Sequence, residues 1–372
     1  MKKSLVALAV LAATGAFAQS SVTLYGRLDL GTSSTKTTTT GFTPFVGATP
    51  LVTTVKATQL AGAQNNWTGS RLGVRGSEDL GGGLKANFAY EFRLDPDAVA
   101  TPGTLFGRTR TALLQVAGGF GSVTIGTYLN PFDDIRLGAG VYGVPGSYTL
   151  DKINSGGVGL SGRSVNSIGY RSPVFAGGFT ASFGTTSQSV ETTTNIPANT
   201  TKASTSGYIG SVGYANGPIN VLAAYGQGKL KASTTLPATS GEGKVTDFGV
   251  KASYDLGVAV PYIMYENAKT SSNANGLSNG SDNSRGFEIG STFPMGAFTP
   301  YILFASNKVK ETLPSGATGD VDKTRAFQVG TQYSLSKRTF VYGGIGRSTV
   351  KTENTTAQAK SSGYALGLVH NF

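Results

Sequence analysis

Residues 70–92 read SRLGVRGSEDLGGGLKANFAYEF. Ahead of the Gly-rich turn Leu72 and Val74 alternate with Arg71, Gly73 and Arg75; behind it Leu84, Ala86, Phe88, Tyr90 and Phe92 alternate with Lys85, Asn87, Ala89 and Glu91. Period-2 alternation on both arms of a tight glycine turn predicts an antiparallel hairpin. Each arm has one apolar and one polar face, and the fold hangs on which face meets water. A soluble hairpin hides the apolar face in a core, whereas a membrane hairpin shows it to lipid.

The same alternation spreads outward in both directions. In residues 21–31, SVTLYGRLDLG, Val22, Leu24, Gly26, Leu28 and Leu30 share one face, and Thr23, Tyr25, Arg27 and Asp29 the other. A second hairpin spans 106–127 around AGGFG, with Arg108, Arg110, Ala112, Leu114 and Val116 on one parity. A third runs from 163 to 186, and four more follow at 207–230, 245–269, 285–308 and 325–350. Residues 361–372 close the chain with Tyr364, Leu366, Leu368, His370 and Phe372 on one face. The Thr-rich stretch 32–66 lacks a period and reads as a long loop, as do the Ser, Thr, Asn and Gly stretches between later hairpins. Residues 128–162 form the longest unpatterned interior segment, a length uncommon in compact domains unless it serves function.

One opening strand, seven hairpins and one closing strand make sixteen. An even number of alternating segments of roughly 10 residues, with short turns on one side and long loops on the other, is the pattern of an outer-membrane β-barrel. Lipid cannot satisfy an open sheet edge, so the first strand is expected to pair with the last. The expected fold is therefore all-β, a 16-stranded antiparallel transmembrane barrel.

Composition agrees with an exported barrel better than with a soluble β-sandwich array. The chain opens MKKSLVALAVLAATGAFA, a basic, then apolar, then small-residue run that reads as a signal peptide over residues 1–18, leaving 19–372 as one barrel domain. Lys plus Arg number 31 against 20 acids, a net charge of +11 that falls to +9 without Lys2 and Lys3. Those cations are scattered and no nucleic-acid module is present, so no nucleic acid is expected as a partner. The chain has no Cys and one His, which leaves no thiolate or His-rich metal site and no cofactor in prospect. Asp133 and Asp134 lack the repeated ligand spacing of a calcium loop. His370, on the apolar parity of the last strand, suits an interfacial position better than the general base of a hydrolase, and no catalytic residue is assigned.

Taken together, SSVTLYGRLDLG, SRLGVRGSEDLGGGLKANFAYEF, FGRTRTALLQVAGGFGSVTIGTY, NSIGYRSP and the terminal YALGLVHNF resemble the trimeric general porins of Gram-negative bacteria, most closely the β-proteobacterial branch. The resemblance implies a homotrimer in the outer membrane, with the long third loop folded into the lumen as a constriction. It implies passive diffusion of ions and small hydrophilic solutes, with a modest preference for small anions. The basic side of the constriction would be Arg71, Arg110 and Arg163, with Arg75 and Arg27 nearby and Arg108 as the alternative to Arg110; each is read as lying on the polar face of its strand. Asp133 and Asp134 of the interior loop are expected to face them. Phe372 would belong to the terminal strand read by the outer-membrane assembly machinery. Where the family usually carries further basic residues, this chain has Thr127 and Val369. Two other readings stay open: a substrate-selective anion or organic-acid channel on the same barrel, and an outer-membrane adhesin, receptor or barrel enzyme.

Overall fold

The computed structural model describes residues 21–41, 51–62, 69–94, 106–137, 160, 162–195, 198–235 and 238–372, so the expected signal segment lies outside the described residues. The strands are β1 (Ser21–Thr40), β2 (Val52–Gly62), β3 (Arg71–Gly81), β4 (Leu84–Leu94), β5 (Phe106–Gly118) and β6 (Gly121–Leu129). After β6 comes one short helix, α1 (Pro131–Leu137). The wall resumes with β7 (Arg163–Arg171), β8 (Phe179–Asn195), β9 (Ala198–Asn216), β10 (Ile219–Thr235), β11 (Ala238–Tyr254) and β12 (Val260–Ala274). It ends with β13 (Leu277–Thr292), β14 (Phe298–Thr312), β15 (Thr318–Ser334), β16 (Thr339–Thr352) and β17 (Gln358–Asn371). No helix among the described residues is long and apolar enough to cross a membrane, a statement that leaves strands untouched.

All seventeen strands belong to one antiparallel sheet. β3 pairs with residues 21–27 of β1 and β2 with residues 31–40, so β2 and β3 are two pieces of a single stave and the barrel has sixteen. The ring closes where β1 meets β17, from Arg27 opposite Asn371 to Thr40 opposite Gln358. Gly26 and Phe372 extend that seam with a reciprocal pair of backbone hydrogen bonds of 3.0 and 3.1 Å. Closure leaves no edge between first and last strand, which is what a sheet in lipid requires.

Burial is inverted relative to a soluble protein. Leu24 is 67% and Leu114 60% exposed, while Glu266 is 2% and Gln328 0% exposed. The apolar parity of each strand therefore faces out and the polar parity faces in. On the inner wall tyrosines lie flat over glycines of the neighbouring strand, Tyr262 over Gly290, Tyr301 over Gly330 and Tyr342 over Gly367, at places a Cβ would fill. Their hydroxyls are held by polar neighbours, Tyr262 donating to Glu288 at 2.8 Å and Tyr342 to Asp29 at 2.9 Å.

The expectation of long irregular loops is corrected. β1 and β2 pair as far as Thr40 opposite Val52, within the stretch read as a loop over 32–66, and β8 and β9 pair as far as Asn195 opposite Ala198. These extensions are polar on both faces, so no apolar period marks them, yet their β-branched threonines favour the extended chain. Cross-strand hydroxyl pairs hold them, including Thr38 with Thr54, Thr193 with Thr200 and Thr234 with Thr239.

Candidate functional site

The register of β1, β3 and β4 gathers charge on one patch of the inner wall. Arg27 lies opposite Arg71, and Arg71 opposite Arg93. One step toward the short turns, Tyr25 lies opposite Gly73, and Gly73 opposite Glu91. The Tyr25 ring occupies the space over Gly73 that a side chain would need, so it can cross β3 and donate from its hydroxyl to Glu91 Oε2 at 3.2 Å. Arg75 sets its guanidinium 5.1 Å from the centre of the same ring, a cation–π contact.

Glu91 is the hub. Its Oε1 accepts from Arg110 Nε at 2.6 Å and lies 3.9 Å from Arg71 Nη1. A charge-assisted bond this short fixes the Arg110 side chain, while the Arg71 contact is a looser ion pair. Side-chain exposures of 10% for Glu91, 17% for Arg110 and 22% for Arg71 place the group largely against the wall, with a minor part of each side chain open to the water of the lumen. Arg27 is tied separately to the closing seam, its Nε donating to Asn371 Oδ1 at 2.6 Å. Five arginines and one glutamate form the patch, a strong excess of positive charge.

Strict alternation fails at two of the arginines, which corrects the expectation that each lies on its strand's polar face. Arg110 has the parity of Leu114 and Val116, both outward. A β-bulge brings it in: between Glu91 and Phe92 the partner on β5 jumps from Thr111 to Thr109, so Arg110 has no opposite residue and turns to Glu91 beside Thr111. Arg163 opens β7 opposite Leu129, which is outward and apolar, because the register between β6 and β7 shifts after Gly126, where Asn166 takes a left-handed φ of 50°. Arg163 is half-buried there. The side chain of Arg108 lies outside the described residues.

Above Arg71 the break between β2 and β3 is pinned by Asp29, which is fully buried. Its backbone N–H donates to Ser70 Oγ at 3.0 Å, its Oδ2 accepts from the Gly69 N–H at 3.2 Å, and its Oδ1 accepts from Tyr342. These bonds hold β3 at the residue before Arg71 and so set where that guanidinium enters the lumen.

The segment read as unpatterned over 128–162 contains α1. Asn130 caps it, its Oδ1 accepting from the Phe132 N–H at 2.9 Å, and Pro131 takes the first helical position. Phe132 and Ile135 are buried against Ile209 and Ala224, over Gly249, all on the polar-parity face of β9, β10 and β11. Leu160 joins this contact and is held by its N–H donating to Asp247 Oδ2 at 2.9 Å. Asp134 stands beside Arg171 and Lys251; burial raises its carboxyl above the usual range, and the two cations only partly offset this. The Asp133 side chain lies outside the described residues. A cleft of ≈ 350 Å³ is bounded by Gln115, Tyr128, Asp134 and Arg171 among others. Among the described residues no three His, Cys, Asp or Glu side chains gather as a metal would need.

Sequence reading missed Arg93 and Tyr25 as members of the basic patch. Both sit on the polar parity of their strands, so the signal was present for them. Nothing in the period of β5 could reveal the bulge that aims Arg110.

A sequence model of the Gram-negative porin family matches residues 4–354. The chain is 30% identical over 375 residues to outer membrane porin protein 32 of Delftia acidovorans, covering 99% of this chain and 95% of that protein. It is 28% identical over 433 residues to an outer membrane porin protein of Bordetella pertussis, covering 100% of each chain. Among solved structures, an anion-selective porin from Comamonas acidovorans superposes with a TM-score of 0.59 at 23% identity, over 95% of this chain and 100% of that one. OmpT of Vibrio cholerae in its trimer form gives 0.59 at 17% identity, over 95% and 99%. Closed barrel, inverted faces and matched sequence agree, and the chain belongs to the Gram-negative porin family of the outer membrane.

Proposed function

We propose that this barrel is a water-filled pore that passes ions and small hydrophilic solutes down their gradient, with a modest preference for anions. The carrying observation is the grouping of Arg27, Arg71, Arg75, Arg93 and Arg110 around the single carboxylate of Glu91 on one patch of inner wall. In water a unit charge about 8 Å from a passing ion contributes about 0.5 kcal/mol, attractive for an anion and repulsive for a cation, which screening by physiological salt cuts to about 0.2 kcal/mol; the four uncompensated cations therefore bias anions over cations by about 1.5 kcal/mol, roughly tenfold. That is a filter and not a tight site, as free passage requires. The anion selectivity named for the Comamonas porin supports this sign.

In this reading the segment carrying α1 folds into the lumen and narrows it, and the Asp133–Asp134 pair lines the narrowed part. The seat of Phe132 and Ile135 on the inner face of β9–β11 supports that placement. Residues 1–18 act as the export signal, three copies associate as in the trimer form of the Vibrio outer membrane protein OmpT, and the assembly machinery reads the strand that ends at Phe372. No reaction is assigned to the barrel. Single-channel recording across a KCl gradient tests the pore: stepwise conductance with an anion-favouring reversal potential is expected, and a cation-favouring potential or no conductance would refute it.

A further inference from the structure

The cleft of ≈ 350 Å³ beside α1 brings two opposite charges together without joining them. Asp134 stands on α1 and Arg171 ends β7, and both residues keep exposed surface. The register shows why they share one cleft. Arg171 lies opposite Ser182, Ser182 opposite Ser211, Ser211 opposite Ala224, and Ala224 opposite Gly249. That row runs along the inner wall to the seat of Phe132 and Ile135. Three strand spacings of about 4.8 Å set the Arg171 backbone about 14 Å from the floor under α1, wide enough for a small solute to lie between. Among the described residues no ion pair or side-chain hydrogen bond ties either Asp134 or Arg171 to a partner.

Each of the two charges is left in want of a counter-charge. Arg171 acts on Asp134 across the cleft and only partly offsets the burial that raises its carboxyl. Lys251, the other cation in that field, is 4% exposed and shared with Glu288, which closes it to a solute. The neutral polar wall, by contrast, is already paired. Asn87 donates to Gln115 Oε1 at 3.1 Å, Gln115 donates to Thr124 Oγ1 at 2.9 Å, and Ser182 and Ser211 share a bond of 2.6 Å. A sugar would find few free partners there. What the cleft offers is one carboxylate and one guanidinium without contact partners, beside apolar surface from Leu113, Tyr128 and Ile209. A simple anion would gain the guanidinium and meet repulsion from the carboxylate, and a simple cation would meet the reverse. A molecule with both charges at one end and a hydrocarbon group at the other uses all three features.

We propose that this cleft is a weak subsite for a zwitterionic solute of the α-amino acid class, its ammonium on Asp134, its carboxylate on Arg171 and an aliphatic side chain on Leu113 and Tyr128. The proposal rests on the pore reading, since the lumen is the way in. It adds to the anion filter a solute of zero net charge, which that filter does not sort.

The test is equilibrium binding to the full-length protein in a non-ionic detergent, read by saturation-transfer NMR, with L-leucine, N-acetyl-L-leucine and L-leucinamide as probes. Acetylation removes the ammonium, the amide removes the carboxylate, and the hydrocarbon stays. L-leucine is expected to bind roughly tenfold tighter than either, the worth of one charge-assisted contact. Asp134→Asn should erase the advantage over N-acetyl-L-leucine and keep that over L-leucinamide; Arg171→Gln should do the converse. A heat ramp followed by circular dichroism checks that both variants keep the barrel. Binding of N-acetyl-L-leucine equal to that of L-leucine would overturn the proposal by assigning the cleft to a plain anion, and equal binding of L-leucinamide by assigning it to a cation. Unchanged L-leucine binding in both variants, or an equal loss of all three probes in each, would overturn it too. Single-channel conductance of the parent is measured separately: conduction without selective binding refutes the subsite alone, and no conduction refutes the pore reading with it.

Discussion

Glu91 shows how one side chain can set both the geometry and the strength of a filter. It fixes Arg110 at 2.6 Å, draws Arg71 and Tyr25 toward itself, and subtracts one charge from the patch. Glu91→Gln keeps the shape and removes the charge, so the anion-to-cation permeability ratio should rise about twofold, the effect of about 0.4 kcal/mol between anion and cation per unit charge in screening salt. Arg71→Ala with Arg110→Ala should lower that ratio roughly fourfold through the loss of about 0.8 kcal/mol, read as a shift of the reversal potential in a KCl gradient. Asp134 adds a pH dependence. Because burial raises its carboxyl, acidification neutralises it before an ordinary carboxylate, the negative charge is lost, and the lumen becomes more positive. Anion preference should therefore grow on mild acidification from neutral pH, and Asp134→Asn should show the acid value already at pH 7 and flatten this limb.

At the level of elements, two local devices place the site. One is the bulge in β5, which uses an extra residue to turn Arg110 inward against the alternation of its own strand. The other is α1, a seven-residue helix too short to stand alone and held by Phe132 and Ile135. Phe132→Ala should cost about 3–5 kcal/mol of that docking. Gly249 is the floor of the contact, where a Cβ would come within 3.1 Å of Ile135 Cδ1 and 3.3 Å of the Phe132 ring. Gly249→Val should lift the helix from the wall, and both variants are expected to show larger or noisier single-channel currents with the barrel intact. Neither device was legible in the sequence, because a bulge leaves the residue types unchanged and seven residues carry too little helical period.

Across the whole molecule stability rests on closure. The last ladder bonds of the β1–β17 seam are those between Gly26 and Phe372, and the terminal ring lies on Gly26. Phe372→Ala should lower the thermal unfolding midpoint by the loss of on the order of 1–2 kcal/mol of packing. Deleting residue 372 should lower it further, since the backbone pair is lost as well; circular dichroism during a heat ramp in detergent checks both. Sequence by itself determined the barrel, its sixteen staves and the outward turn of the apolar faces. Alternation is a property of each strand alone, and an even set of such strands in lipid has only closure as a solution. It also marked Arg71, Arg75 and Arg27 as inner-wall cations, since they keep step with their strands. The polar hairpin extensions, the inward aim of Arg110, the Arg163–Leu129 register and the seat of α1 were decided by tertiary structure alone. Each depends on which residue of a neighbouring strand lies opposite, and that pairing exists only once the strands have met.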